Sequence, residues 1–410
     1  MIQFKKHTQI ALSFFLAAAT LGLLLRYASV FPTNFSFRYV VHAHSHIAVM
    51  GWLHFALATL ICYFFLIPNI PAKTYKKIFG AMLFSVVGML ASFPFQGYAF
   101  FSIFFSSLFL ITSYFYTWAF FKYSPNVIKK KSPSYIVIKY ALIFMVISSI
   151  GPWSIGAVMA TIGQDPFWYN ITIYFYLHFQ YNAWILLGIL GVFLRIMENH
   201  GVTFNLKDFK YFIIMFNASA IFTFFLSVLF ADPVHEFYVL SIFGSFLQFI
   251  AFFTFIKFVN SNKKEIREVF GPIATRLLYW AVILFFCKIV MQYLGSFPYP
   301  AKLITFNHNL AIGFLHWVFL GVASFSTLAL LFKTKLIYLN KRSTSLYIFG
   351  FFLTEAIIFY KPIARLFDLK IIPYYNEFLL IASLVLFIPI VYFVYLQITK
   401  KGINYLKEFK

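Results

Sequence analysis

Apolar residues fall in blocks of about 20 along this chain, the length an α-helix needs to cross a hydrocarbon core. Twelve such blocks predict twelve membrane-spanning helices, at 8–26, 40–67, 77–94, 97–121, 135–162, 167–194, 210–230, 236–258, 275–295, 302–332, 344–360 and 375–399. Proline and glycine mark several of the breaks: Pro68 and Pro71, Pro94 with Gly97, Pro298 with Pro300, and Pro373. No stretch reads as a soluble domain, a long linker or a low-complexity tail. The pattern therefore predicts one all-α transmembrane domain over 1–410. The first block is followed by RYASVFP, without a small-x-small cleavage site, so it reads as a retained helix and not a signal peptide.

Composition agrees. The chain is 62% hydrophobic and 11% charged, where a soluble domain carries about 25% charged residues. A net charge of +22 would suit nucleic acid, but the basic residues sit in short loops, where they set topology. With Lys5 and Lys6 inside, the alternate loops, their flanks and the tail hold 26 of the 33 Lys and Arg on that one side. The tail supplies Lys400, Lys401, Lys407 and Lys410, and the loop after the fourth span Lys129, Lys130 and Lys131. Arg26, Arg38, Lys302, Lys361, Arg365 and Lys370 fall on the other side, and Lys288 lies deep in the ninth span. This bias predicts cytoplasmic termini in the cytoplasmic membrane of a bacterium. Cys62 and Cys287 lie within apolar runs, so no disulfide framework or cysteine zinc motif is available.

The candidate chemistry is imidazole. The stretch VHAHSHIAVMGWLHFAL carries His42, His44, His46 and His54 in the second span. The sixth span carries His178 in YLHFQYNAW, and the tenth His308 and His316 in TFNHNLAIGFLHW. His7, His200 and His235 fall at loops or helix ends and read as solvated. Histidine in hydrocarbon is costly unless paired or bound, so intramembrane histidines are functional candidates. The second, sixth and tenth spans all run in the same direction, and their spacing of four hints at three four-helix units. At about 1.5 Å per residue, His46, His178 and His308 lie roughly 9 to 17 Å below the outer helix ends, with His54 and His316 about 12 Å deeper. His42 and His46 share a helix face and His44 points away. One helix cannot hand all three to one small ion, so ligation between helices fits better. A bis-histidine haem satisfies this, and copper or zinc also accept imidazole. Carboxylates are scarce in the spans, Glu355 being the main one.

Twelve spans with histidines near the outer ends of the second, sixth and tenth resemble the catalytic subunit of haem–copper oxidases. The closest flavours are the cbb-type oxidases and nitric oxide reductases. His44-Ser45-His46 followed by Gly51-Trp52 resembles a string that family carries on its tenth helix. Tyr181-Asn182-Ala183 with Gly188 and Gly191 resembles its sixth helix, although a histidine precedes Asn-Ala there and Tyr181 does here. The NnrS family of twelve-helix haem and copper proteins is similar in its own early HxH string. The departures are specific. The family's seventh helix carries two adjacent histidines for copper, and YFIIMFNASAIFTFFLSVLF has none. Its tenth helix has two histidines at HxH spacing, where this chain has His308, with His316 too far along to replace the second.

The resemblance implies one haem, or a haem with a reduced second site. His46 and His308 are then the expected axial ligands, with His44 the alternative to His46. His178 is expected to hold copper or a second haem, with Tyr181 as proton donor. His42 reads as a headgroup-region residue or a metal ligand. His54 and His316 bind a deeper haem or pair with each other. Partner subunits or an electron donor in the membrane go with this reading, and nucleic acid does not. The rivals are a non-catalytic haem or copper protein for assembly or sensing, and a secondary transporter.

Overall fold

The computed structural model describes residues 2–67, 69–163 and 165–399, without the side chains of Lys130 and Lys131. Pro68 and the four tail lysines named above fall outside the described residues. Within them, twelve helices are long and apolar enough to span a membrane, and there is no strand. They are α1 Phe4–Ala28, α2 Phe37–Leu66, α3 Ala72–Gln96, α4 Phe100–Tyr123, α5 Pro133–Thr161, α6 Pro166–Asn199, α7 Leu206–Ala231, α8 His235–Ser261, α9 Lys263–Gly295, α10 His308–Lys333, α11 Lys341–Leu366 and α12 Tyr375–Thr399.

The spans are not equivalent. In α2 and α6, 89% of the most apolar stretch is buried, and 67% in α10, against 33–50% in the other nine. The helices that carry His44, His178 and His316 therefore form the inside of the bundle. The outer helices turn large apolar side chains such as Phe84, Phe104, Phe115 and Ile388 outward, as a lipid-facing surface requires.

All three inner helices widen at mid-span into π-helical turns, at Ile47–Leu53 in α2, Gln180–Ile185 in α6 and Trp317–Ala323 in α10. Such turns upset the regular backbone ladder and concentrate at functional sites. In hydrocarbon every displaced carbonyl needs another donor. In α10 these come from the Ser324 hydroxyl to Phe319 O at 2.7 Å and the Tyr347 hydroxyl of α11 to Leu320 O at 2.9 Å. Ser324 also accepts Trp52 Nε1 from α2 at 2.8 Å, and Trp52 stacks on Phe15 of α1 with centroids 4.7 Å apart. The wide turns and aromatic anchors thus lock α1, α2, α10 and α11 together.

One break decides where the tenth span begins. The apolar pattern is continuous from 302 to 332, but a short helix, Pro298–Phe306, ends before Asn307, whose φ of −122° and ψ of 88° are non-helical. The span restarts at His308. His308 is therefore a first-turn residue and is exposed.

Candidate functional site

The three histidines at the start of α2 divide between two directions, as their spacing requires. His46 lies against Phe93 of α3, centroids 4.3 Å apart, with its Nδ1 2.8 Å from His42 O and its Nε2 3.3 Å from the Tyr98 hydroxyl. His42 faces the same Tyr98 ring at 4.7 Å. His44 turns the other way, toward α1 and α10. Its Nδ1 donates to Ala18 O at 2.8 Å. Gly22, one turn along α1, gives the ring its room, since a Cβ there would come within 2.9 Å of His44 Cε1.

Facing His44 is His316 of α10, ring centroids 6.4 Å apart and planes crossed at 70°. The ring expected opposite helix 2 was that of His308. No ring contact joins His46 to His308 among the described residues, because the break at Asn307 starts α10 six residues later than the apolar block does. His316 sits eight residues inside the new start and so comes level with His44, seven residues into α2. The same shift separates His316 from His54.

Behind His316 stands Glu355 of α11, its Oε1 3.6 Å from His316 Nδ1. The carboxylate is 2% exposed and neither oxygen has a hydrogen-bond partner among the described residues. His316 itself keeps 23% of its side chain accessible, eight residues into the span. Arg26 of α1 lies within electrostatic reach of His44, His316 and Glu355. The His44 ring is thus held on its Nδ1 side by a carbonyl, while His316 Nδ1 faces a carboxylate 3.6 Å away without a hydrogen bond to it. Neither Nε2 has a hydrogen bond to a described residue.

The other histidines are differently placed. His178 is 1% exposed and both ring nitrogens are engaged, Nε2 with Ala220 O at 2.8 Å and Nδ1 with Asn182 Nδ2 at 3.1 Å. A metal at His178 would have to displace one of these partners. Tyr181 packs its ring toward Phe314 and Phe319 of α10, 6.2 Å from the His178 ring. His54 is 2% exposed between Phe109 and Trp184, its Nε2 without a partner. His7, expected to be solvated, stacks on Phe79 at 3.8 Å and bonds the Tyr75 hydroxyl. Among the described residues no three His, Cys, Asp or Glu side chains gather as a ready set of metal ligands.

Sequence reasoning noticed Glu355 but gave it no partner, and passed over Ala18 and Gly22. The readable signal was Asn307: asparagine is a helix-start residue, and an α10 begun there brings His316 to the right depth. No family model matches the chain, and no curated protein matches it.

Proposed function

We propose that this protein is a haem-binding integral membrane protein that holds haem between His44 of α2 and His316 of α10. Its work, on this reading, is respiratory electron transfer or the handling of nitric oxide or oxygen, in the manner of the haem–copper oxidases. The observation that carries the proposal is the facing pair of imidazoles. His44 and His316 would hold the haem iron between them, and with a metal–nitrogen reach of about 2 Å on each side their ring centroids would need to stand about 6 Å apart. The 6.4 Å between His44 and His316 fits that span.

The surroundings fit as well. A metal-ligating histidine usually gives its second ring nitrogen to a carbonyl or carboxylate, which fixes its orientation. Ala18 O and Glu355 stand where those partners belong. Gly22 keeps side-chain bulk away from the His44 ring. Arg26 is the cation available to an anionic edge of the macrocycle. When bound, haem supplies one-electron chemistry whose potential depends on its axial ligands and burial. The chain's own part is to orient two imidazoles and shield them from water.

Between a reductase and a non-catalytic haem protein, His178 favours the second. Both its nitrogens are already satisfied, and it belongs to no group of three His, Cys, Asp or Glu side chains among the described residues. Electron carriage or sensing by a single haem asks nothing further of the sixth span.

The test is an optical difference spectrum of the purified protein, dithionite-reduced minus oxidised. Low-spin haem bands are expected from the wild type, from His46→Ala and from His308→Ala. His44→Ala and His316→Ala are expected to lose or rearrange them. A wild-type spectrum without haem bands removes the reading and leaves the transporter alternative. Bands that survive in both His44→Ala and His316→Ala would move the haem elsewhere.

A further inference from the structure

Away from the histidine pair, α8 and α9 meet along a polar seam. Lys288 is fully buried, and its Nζ has one hydrogen bond, to Gln248 Oε1 of α8 at 3.1 Å. One turn on along α9, Gln292 is 2% exposed and neither of its amide atoms has a partner. A further turn on, the Ser296 hydroxyl meets that of Ser245 of α8 at 3.3 Å. Gln292 lies between these two rungs, so its amide faces the same seam as the Lys288 ammonium. The Nε2 of Gln248 is likewise buried without a partner.

The hydrogen-bond inventory of the seam is one-sided. An ammonium offers three donors and each amide two. Among the described residues two of the ammonium donors and the N–H groups of both glutamines lack a hydrogen-bond acceptor, with the Phe285 ring 5.5 Å from Nζ, and of the two glutamines only Gln292 has a free amide oxygen. The charge is one-sided too: no carboxylate forms an ion pair with Lys288 among the described residues. His178, also within electrostatic reach, already donates its Nε2–H to Ala220 O. A buried cation is tolerated when something pairs with it. A surplus of donors around an unpaired positive charge calls for a ligand that only accepts and that is negative.

We propose that Lys288, Gln248 and Gln292 form an intramembrane binding site for a small inorganic anion of chloride size. The ammonium supplies the charge and the two amides the remaining N–H contacts. The site is separate from the histidine pair and does not depend on haem.

The test uses the purified full-length protein in detergent, with gluconate replaced by chloride or bromide at constant ionic strength. A ligand that binds only the folded state raises the unfolding midpoint saturably with its concentration. The wild type is expected to show that rise, Lys288→Met to show none, and Gln292→Leu to need a several-fold higher concentration. In gluconate, Lys288→Met should match or exceed the wild type, because it removes an uncompensated buried charge. A wild type indifferent to halide overturns the site and makes Lys288 a neutral amine among waters. A halide response that persists in Lys288→Met overturns it as well. Should Lys288→Met fail to fold, bromide anomalous scattering from wild-type crystals decides the matter: a peak in contact with Lys288 Nζ is expected, and its absence at saturating bromide sinks the proposal.

Discussion

Single atoms decide the proposed haem site. Gly22 matters because a Cβ would stand 2.9 Å from His44 Cε1, and the His44 ring is tethered to Ala18 O and cannot swing aside without losing that bond. Gly22→Val is therefore expected to lose haem about as completely as His44→Ala while the fold persists, read from haem absorbance per protein in a monodisperse sample. Glu355 acts through His316. A carboxylate on the far ring nitrogen raises ligand basicity and favours the oxidised iron. Glu355→Gln should keep haem but raise its midpoint potential in a spectroelectrochemical titration, and Glu355→Asp should restore part of the difference. An unchanged potential would reduce Glu355 to a packing residue. At this scale the sequence was half legible. The i, i+4 rule correctly put His42 with His46 and turned His44 away. It does not say which face looks into the bundle, and that depends on where Gly22 of α1 leaves room.

At the scale of elements, hydropathy finds all twelve spans because burying apolar length is the dominant requirement in lipid. It cannot see the break at Asn307, since the residues on both sides are apolar enough to continue the run. Nor can it see the wide turns of α2, α6 and α10, which keep the same apolar composition as the helix around them. Charged clamps at helix ends were equally hidden. Glu198, at the end of α6, accepts hydrogen bonds from Ser132 Oγ at 2.5 Å, Ser134 N at 2.8 Å and Ser134 Oγ at 2.7 Å. It thereby satisfies one of the free N–H groups that open α5, that of Ser134, and complements that helix's dipole. Glu198→Ala is expected to cost about 2–3 kcal/mol, the scale of hydrogen bonds to a charged group, measured by denaturant titration in bicelles. Between α7 and α8, Asp232 adopts a left-handed φ of 48° and takes the Tyr238 hydroxyl at 3.0 Å and Lys302 Nζ at 3.2 Å. The Tyr238 hydrogen bond, and then Lys302, hold its carboxyl below the usual value. A depressed folded-state value means that this clip is intact above the ordinary carboxylate range and lost as pH falls through the lowered one. Acidification should therefore free the Pro298–Phe306 helix, with faster amide exchange there. The Asp232→Asn variant tolerates the same left-handed backbone but has no charge to offer Lys302, and should show that faster exchange at every pH.

For the molecule as a whole, the three most buried helices lie four spans apart in the chain, and each is widened at mid-span. The spacing of the histidines singles out the same three helices that the bundle buries most. The two imidazoles of the proposed site come from the first and third of these helices, near one end of the bundle. The loop charges predict which side of the membrane that end faces. The lysine-rich loops lie at the opposite end, and if they face the cytoplasm, as the positive-inside rule predicts, His44 and His316 lie toward the outer face. Two exposed loop residues test this: Val127, 80% exposed between α4 and α5, and Leu369, 59% exposed between α11 and α12. In a background without Cys62 and Cys287, Leu369→Cys should react with a membrane-impermeant maleimide on intact cells. Val127→Cys should react only after permeabilisation. With that result, the proposed haem lies roughly 10 Å beneath the outer surface, from seven residues of helix at about 1.5 Å each. Electrons from an extracytoplasmic donor would then have the shorter path. The opposite labelling would invert the bundle, put the histidine pair next to the cytoplasm, and require a donor on that side.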